Sequence, residues 1–116
     1  MNKKELNEIL EKHKMWLESE EGGQRANLQR ADLQRADLQR ADLRGADIDY
    51  SCWLLWCGSK GIKVDRRIAA QLAAHFCALD CDDPEYQAAR ATVLEFSRTS
   101  HRARELGLLV EDAWPY

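Results

Sequence analysis

Few side chains in this chain have the chemistry of a reactive site. Within 116 residues there are four cysteines, Cys52, Cys57, Cys77 and Cys81, and three histidines, His13, His75 and His101. Structural zinc sites space their paired ligands roughly two to four residues apart. Cys52 and Cys57 lie five apart and Cys77 and Cys81 four apart, so zinc stays an open alternative and reduced, partly buried thiols are the favoured reading. A hydrolase needs a nucleophile beside a base that a third group orients, and no such motif surrounds the histidines. There is no phosphate-binding glycine loop either. The expectation is a protein that is not an enzyme and holds no cofactor or metal.

The carboxylates remain. Asp32, Asp37, Asp42 and Asp47 recur every five residues, and Asp80, Asp82, Asp83 and Glu85 cluster further on. Their spacing suits a surface ladder and not a cleft. These eight are the candidate partner-binding residues, although each reads equally well as a solvated surface charge.

The element that carries the first four is a repeat. From Ala26 to Tyr50 the blocks read ANLQR, ADLQR, ADLQR, ADLRG and ADIDY. A period of five fits neither a helix nor an isolated strand, because on a helix successive leucines would advance by about 140° and scatter round the cylinder. A backbone that turns once per block keeps Leu28, Leu33, Leu38, Leu43 and Ile48 pointing at a shared axis, which is a solenoid. Five leucine-type residues held in register are not the mark of a disordered tract.

These blocks resemble the pentapeptide repeats, with a small residue, Asp or Asn, a central Leu, then two polar or small positions. The resemblance covers about a fifth of the chain in well-formed blocks. It implies a short right-handed quadrilateral β-helix, four blocks to a coil, with Ala26, Ala31, Ala36, Ala41 and Ala46 inward beside the central residues. A twenty-residue step would stack Leu28 on Ile48 and Leu33 on Trp53. The fold class expected is therefore mainly β solenoid plus α, capped by an N-terminal helix and a C-terminal helical hairpin. The expected organisation is one domain over 1–116, with a capping helix at 1–22, the solenoid at 23–60 and a helical region at 61–116.

Asn2 and Glu5 form a capping-box-like start to the first helix, whose apolar face (Leu6, Ile9, Leu10, His13, Trp16, Leu17) is suited to covering an open coil end. Gly22 and Gly23 are expected to end it. Cys52 to Gly58 is the most apolar stretch, read as a plug joining coil to helices, or as an exposed aromatic binding patch. Asp65 is expected to cap a second helix carrying Ile68, Ala69, Leu72, Phe76 and Leu79, and Asp83 with Pro84 to start a third. Leu108, Leu109, Val110 and Trp114 suggest a tail folded back on the body. From Tyr50 onward the chain also looks like the C-terminal extension of small pentapeptide-repeat proteins of phages and prophages.

The net charge of −3 and pI near 5.6 argue against direct nucleic-acid binding through a basic surface. No run reaches a membrane span, and the start is a charged helix and not a signal peptide, so the expected location is cytoplasmic, in the host cytoplasm if phage-encoded. The family includes DNA mimics, gyrase being the best-known target. With the small size and phage-like tail, the resemblance implies a non-enzymatic inhibitor that blocks a bacterial DNA-binding protein or CRISPR effector complex, as an anti-CRISPR protein does. The alternatives are a gyrase-type protector and a neutral adaptor binding one protein through Trp53 and Trp56. A homodimer through a solenoid end is a further possibility.

Overall fold

A computed structural model describes residues 1–109, so the sequence-based reading of Val110 and Trp114 lies outside the described residues. The chain divides into two compact units, one spanning Met1–Asp65 and one starting at Arg66. Helix α1 (Lys3–Leu17) and a short 3-10 turn (Cys57–Ser59) belong to the first, and helices α2 (Arg66–Cys77) and α3 (Pro84–Ser97) to the second.

The mainly β class expected from the repeat is overturned. Among the described residues there is no β-strand and no sheet, and the regular secondary structure is helical. Residues 26–65 instead form two superposed tiers of turns, touching through three isolated parallel bridges, Asn27 to Asp47, Asp32 to Cys52 and Asp42 to Lys63. The reason lies in the short block. Each central residue accepts a hydrogen bond from the amide three positions on, as in Leu28 to Ala31 (3.1 Å), Leu33 to Ala36 (3.1 Å), Leu38 to Ala41 (2.9 Å) and Leu43 to Ala46 (2.9 Å). With four residues of every five spent on a turn, little extended chain is left, whereas a strand needs a run of several residues.

The core of the tiers follows the leucine spacing. Leu28, Leu33, Leu38, Leu43 and Ile48 are buried, each worth roughly 1.5–3 kcal/mol relative to exposure. Of the five alanines, Ala26 and Ala46 are buried and Ala31, Ala36 and Ala41 half-buried. The stacking changes after Cys52. Leu28 and Leu33 donate to Asp47 and Cys52, but Leu38 and Leu43 donate to Gly58 and Lys63, one residue further along. One extra residue therefore sits between Cys52 and Gly58. Trp53 is accordingly half-buried and Leu54 takes the interior place, 1% exposed.

Helix α1 starts as its capping box requires: Asn2 accepts from the Glu5 amide at 2.8 Å and donates to its carboxylate at 2.9 Å. It ends at Leu17, earlier than the glycines suggested, because Ser19 takes the left-handed conformation (φ 57°). His13, fully buried, fastens the helix to the start and the end of the first tier. Its Nδ1 accepts from the Ala26 amide (3.0 Å), which leaves Nε2 to donate to the Arg44 carbonyl (2.8 Å). Gly23 lets the chain pass close behind the helix, since a Cβ there would run into the backbone of Met15 and Trp16.

In the second unit α2 and α3 pack on each other, and the buried cluster is Ala74, Cys77, Ala103 and Leu108. On α2 the buried positions include Ala70, Gln71, Ala74 and Cys77 alongside Ile68, whereas Phe76 is 38% exposed and Leu79, expected on this helix, lies past its end and is 59% exposed. The buried stripe is thus rotated from the expected one toward small residues, which allow close helix approach. Asp83 accepts from the Tyr86 amide (2.9 Å) and Pro84 opens α3. No helix among the described residues is long and apolar enough to cross a membrane.

Candidate functional site

The repeat carboxylates are held by their own turns. In every block the second residue accepts a hydrogen bond from the amide two residues on: Asn27 from Gln29 (3.0 Å), Asp32 from Gln34 (3.1 Å), Asp37 from Gln39 (3.2 Å), Asp42 from Arg44 (3.2 Å) and Asp47 from Asp49 (3.0 Å). This is the local side-chain turn that Asp and Asn favour. Asn27 makes it without a charge, so the negative charge at the other four is surplus to the turn.

The aspartates do not form one row. A step of about twenty residues returns the chain to the same wall, so consecutive blocks lie on consecutive walls. Asp47 bridges Asn27, Asp32 bridges Cys52 and Asp42 bridges Lys63, each on its own wall. Asp42 is further neutralised: Arg44 Nε donates to it at 2.9 Å and Nη2 at 2.6 Å. Hydrogen bonding from this guanidinium holds the Asp42 carboxyl below the usual carboxylate range and raises Arg44 in turn. Asp47 accepts from the Gln29 side chain of the other tier, and the Arg30 guanidinium lies 5.4 Å from the Tyr50 ring centre.

The extra residue between Cys52 and Gly58 produces the most exposed apolar feature of this unit. Leu55 is 95% exposed and Trp56 43% exposed. The segment is nevertheless anchored. On three walls a second-tier amide donates to a first-tier alanine carbonyl: Asp47 to Ala26, Cys52 to Ala31 and Lys63 to Ala41. On the fourth wall the Trp56 indole Nε1 donates to Ala36 at 3.0 Å, and the side chain stands in for the missing amide. Gly58 makes room for the ring, because a Cβ there would overlap the indole.

In the second unit Asp80, Asp82 and Glu85 are exposed, and Asp83 is engaged as the cap of α3. The loop that carries them is braced. Tyr86 Oη shares its proton between the carbonyls of Phe76 (2.7 Å) and Leu79 (3.1 Å), Arg90 Nε donates to Cys77 (2.7 Å) and Gln87 Nε2 to Cys81 (2.6 Å), which engages the last two carbonyls of α2 and two of the loop. Cys52, Cys57 and Cys81 are exposed thiols and Cys77 is buried. Among the described residues no group of three or more His, Cys, Asp or Glu side chains is gathered as a metal site.

Sequence reasoning singled out the aspartates and offered an exposed aromatic patch within Cys52–Gly58 as an alternative to a plug, but did not single out two features of the first unit. One is the exposure of Leu55 beside Trp56, signalled only by the break in the five-residue period at SCWLL. The other is a cleft of about 700 Å³ between the start of α1 and residues 32–37, which no linear pattern marks.

Residues 24–52, a quarter of the chain, match the family model of pentapeptide repeats (8 copies). This chain carries pentapeptide repeats. Proteins with such repeats are generally structural or interaction proteins and not enzymes, so the family points to a protein-interaction role. No curated protein matches the chain, and no solved structure does.

Proposed function

We propose that this pentapeptide-repeat chain works without catalysis, as a protein-binding module whose contact centres on Leu55 and Trp56. The observation that carries this reading is a leucine 95% exposed on a segment pinned by the Trp56–Ala36 hydrogen bond and by the room Gly58 leaves. An apolar group held out rigidly pays little ordering entropy on binding, and Trp is a frequent interface anchor. The test compares Leu55→Ser and the triple charge reversal Asp80→Lys, Asp82→Lys, Asp83→Lys in capture experiments from bacterial lysate, with and without excess duplex DNA. Loss of the captured protein with Leu55→Ser alone, with no displacement by DNA, is the expected result.

The narrower reading is an inhibitor that occupies a bacterial DNA-binding complex by imitating DNA, in the manner of an anti-CRISPR or a gyrase protector. Its support is the exposed group Asp80, Asp82 and Glu85. Against it stand three observations on the repeat: the aspartates lie on different walls, each is tied into its turn, and Arg30, Arg35, Arg40 and Arg44 alternate with them. Two tiers also rise only about 10 Å, far short of the roughly 34 Å of one duplex turn. Capture that is lost on charge reversal, displaced by DNA and abolished at several hundred millimolar salt would reverse this preference.

A further inference from the structure

The second-tier residue Cys52 shows what the edge of a tier can bind. Its amide donates to Ala31 at 2.8 Å and its carbonyl accepts from Leu33 at 2.9 Å, so one residue makes both bonds of a parallel bridge to Asp32. Asp32 is the matching residue one tier earlier. Its own amide and carbonyl therefore face the opposite way, away from Cys52 and toward the side where α1 lies. The same holds for Asp37, whose neighbour Leu38 donates to Gly58 in the second tier. Among the described residues neither the amide nor the carbonyl of Asp32 or Asp37 is hydrogen-bonded, and helix α1 does not close over them. What lies beside them is the cleft of about 700 Å³, whose other wall is Met1, Asn2, Lys3, Leu6 and Asn7. The turn at this corner also differs from the others. Arg30, Arg40, Gly45 and Tyr50 end their blocks at positive φ, and Arg35 does not.

We propose that this cleft takes an extended peptide segment of a protein partner, which pairs with Asp32 through the backbone as Cys52 does from the other side. The docked segment continues an interface the molecule already has, the hydrogen-bonded contact between tiers. An open backbone edge selects an extended chain, because only a chain presents a carbonyl and an amide at the spacing Asp32 needs. The apolar share of the cleft, Met1, Leu6 and Ala36, suits one apolar side chain of that segment. Neither Leu55 nor Trp56 lines this cleft, and its occupant goes beyond the function proposed above.

The test uses the full chain and a displayed library of random ten-residue peptides. Enriched peptides are expected to shift the amide resonances of Asp32 and Asp37. Their binding should fall at least tenfold when the pairing peptide nitrogen is methylated, and equally with Asn7→Trp, an exposed position from which the indole fills the cleft. Leu55→Ser should leave that binding unchanged, which keeps this proposal distinguishable from the one above. Peptides that tolerate both N-methylation and Asn7→Trp, or no enrichment over the Asn7→Trp protein, would overturn it. So would a dimer in sedimentation equilibrium that Asn7→Trp dissociates, because the cleft would then belong to a second copy of the chain.

Discussion

In the tiers of turns each regular block from Ala26 to Tyr50 contributes one large buried side chain, and Leu28, Leu33, Leu38 and Leu43 sit within 1% of complete burial. In the helical unit the buried cluster is made chiefly of small residues, Ala74, Cys77 and Ala103 with Leu108, while Phe76 and Leu79 stay exposed. The first region concentrates its burial in a few large aliphatic side chains, one to a regular block. The second spreads it over close helix packing and a braced loop. A given apolar truncation should therefore cost far more in one region than in the other.

The largest effect is expected from Leu38→Ala, which empties a fully buried site and should cost about 2–5 kcal/mol in urea denaturation. Leu79→Ala, on the exposed end of the helical unit, should change stability by no more than about 0.5 kcal/mol. Equal costs would break the comparison. Next comes Gly58→Ala, which overpacks the indole and should cost about 1–3 kcal/mol. Combined with Trp56→Ala, the added cost of the glycine change should largely vanish, and a strictly additive double-mutant cycle would show that the ring does not occupy that space.

The turns give a finer test, because adjacent blocks of identical sequence differ in backbone. Arg40 stands at φ 62° and Arg30 at φ 61°, where glycine is free of strain. Arg30→Gly and Arg40→Gly should each stabilise by up to about 1 kcal/mol, and Arg35→Gly should destabilise by a similar amount. Thermal melts of the three variants would expose any uniformity among these corners. The smallest effect concerns pH. The Asp42 carboxyl lies below its ordinary value because of Arg44, so its contribution is present above the unfolded carboxylate value of about 3.9 and is lost as pH falls through the lower folded value. Arg44→Gln should remove that contribution, so stability falls slightly near neutrality and the profile flattens in that acid range.

Much of the first region was legible in the sequence because a single large apolar residue per block leaves no choice of interior. Helix α1 was legible from its capping box, but the absence of strands was not, since the same short blocks that fix the leucines use their backbone on turns. The shift after Cys52 escaped because Trp53, Leu54, Leu55 and Trp56 are all apolar, and composition alone cannot say which of four neighbours is inside. The larger side chains of Phe76, in α2, and of Leu79, past its end, drew the expected stripe away from Ala70 and Ala74, whose merit is small size and not hydrophobicity. The candidate carboxylates were placed outward by their spacing, but their turn bonds and their separate walls follow from the fold. The cleft at Asp32 and Asp37 joins residues some thirty positions apart and has no local signature.

The most direct test of the stacked tiers and their open edge is native-state amide hydrogen exchange, resolved by residue. The bonds of Leu28 to Asp47, Leu33 to Cys52, Leu38 to Gly58 and Leu43 to Lys63 predict strong protection of those four leucine amides, together with near-unprotected exchange at Asp32 and Asp37. Protection of Asp32 equal to that of Leu33, or leucine amides exchanging at the rate of an unfolded chain, would contradict the account.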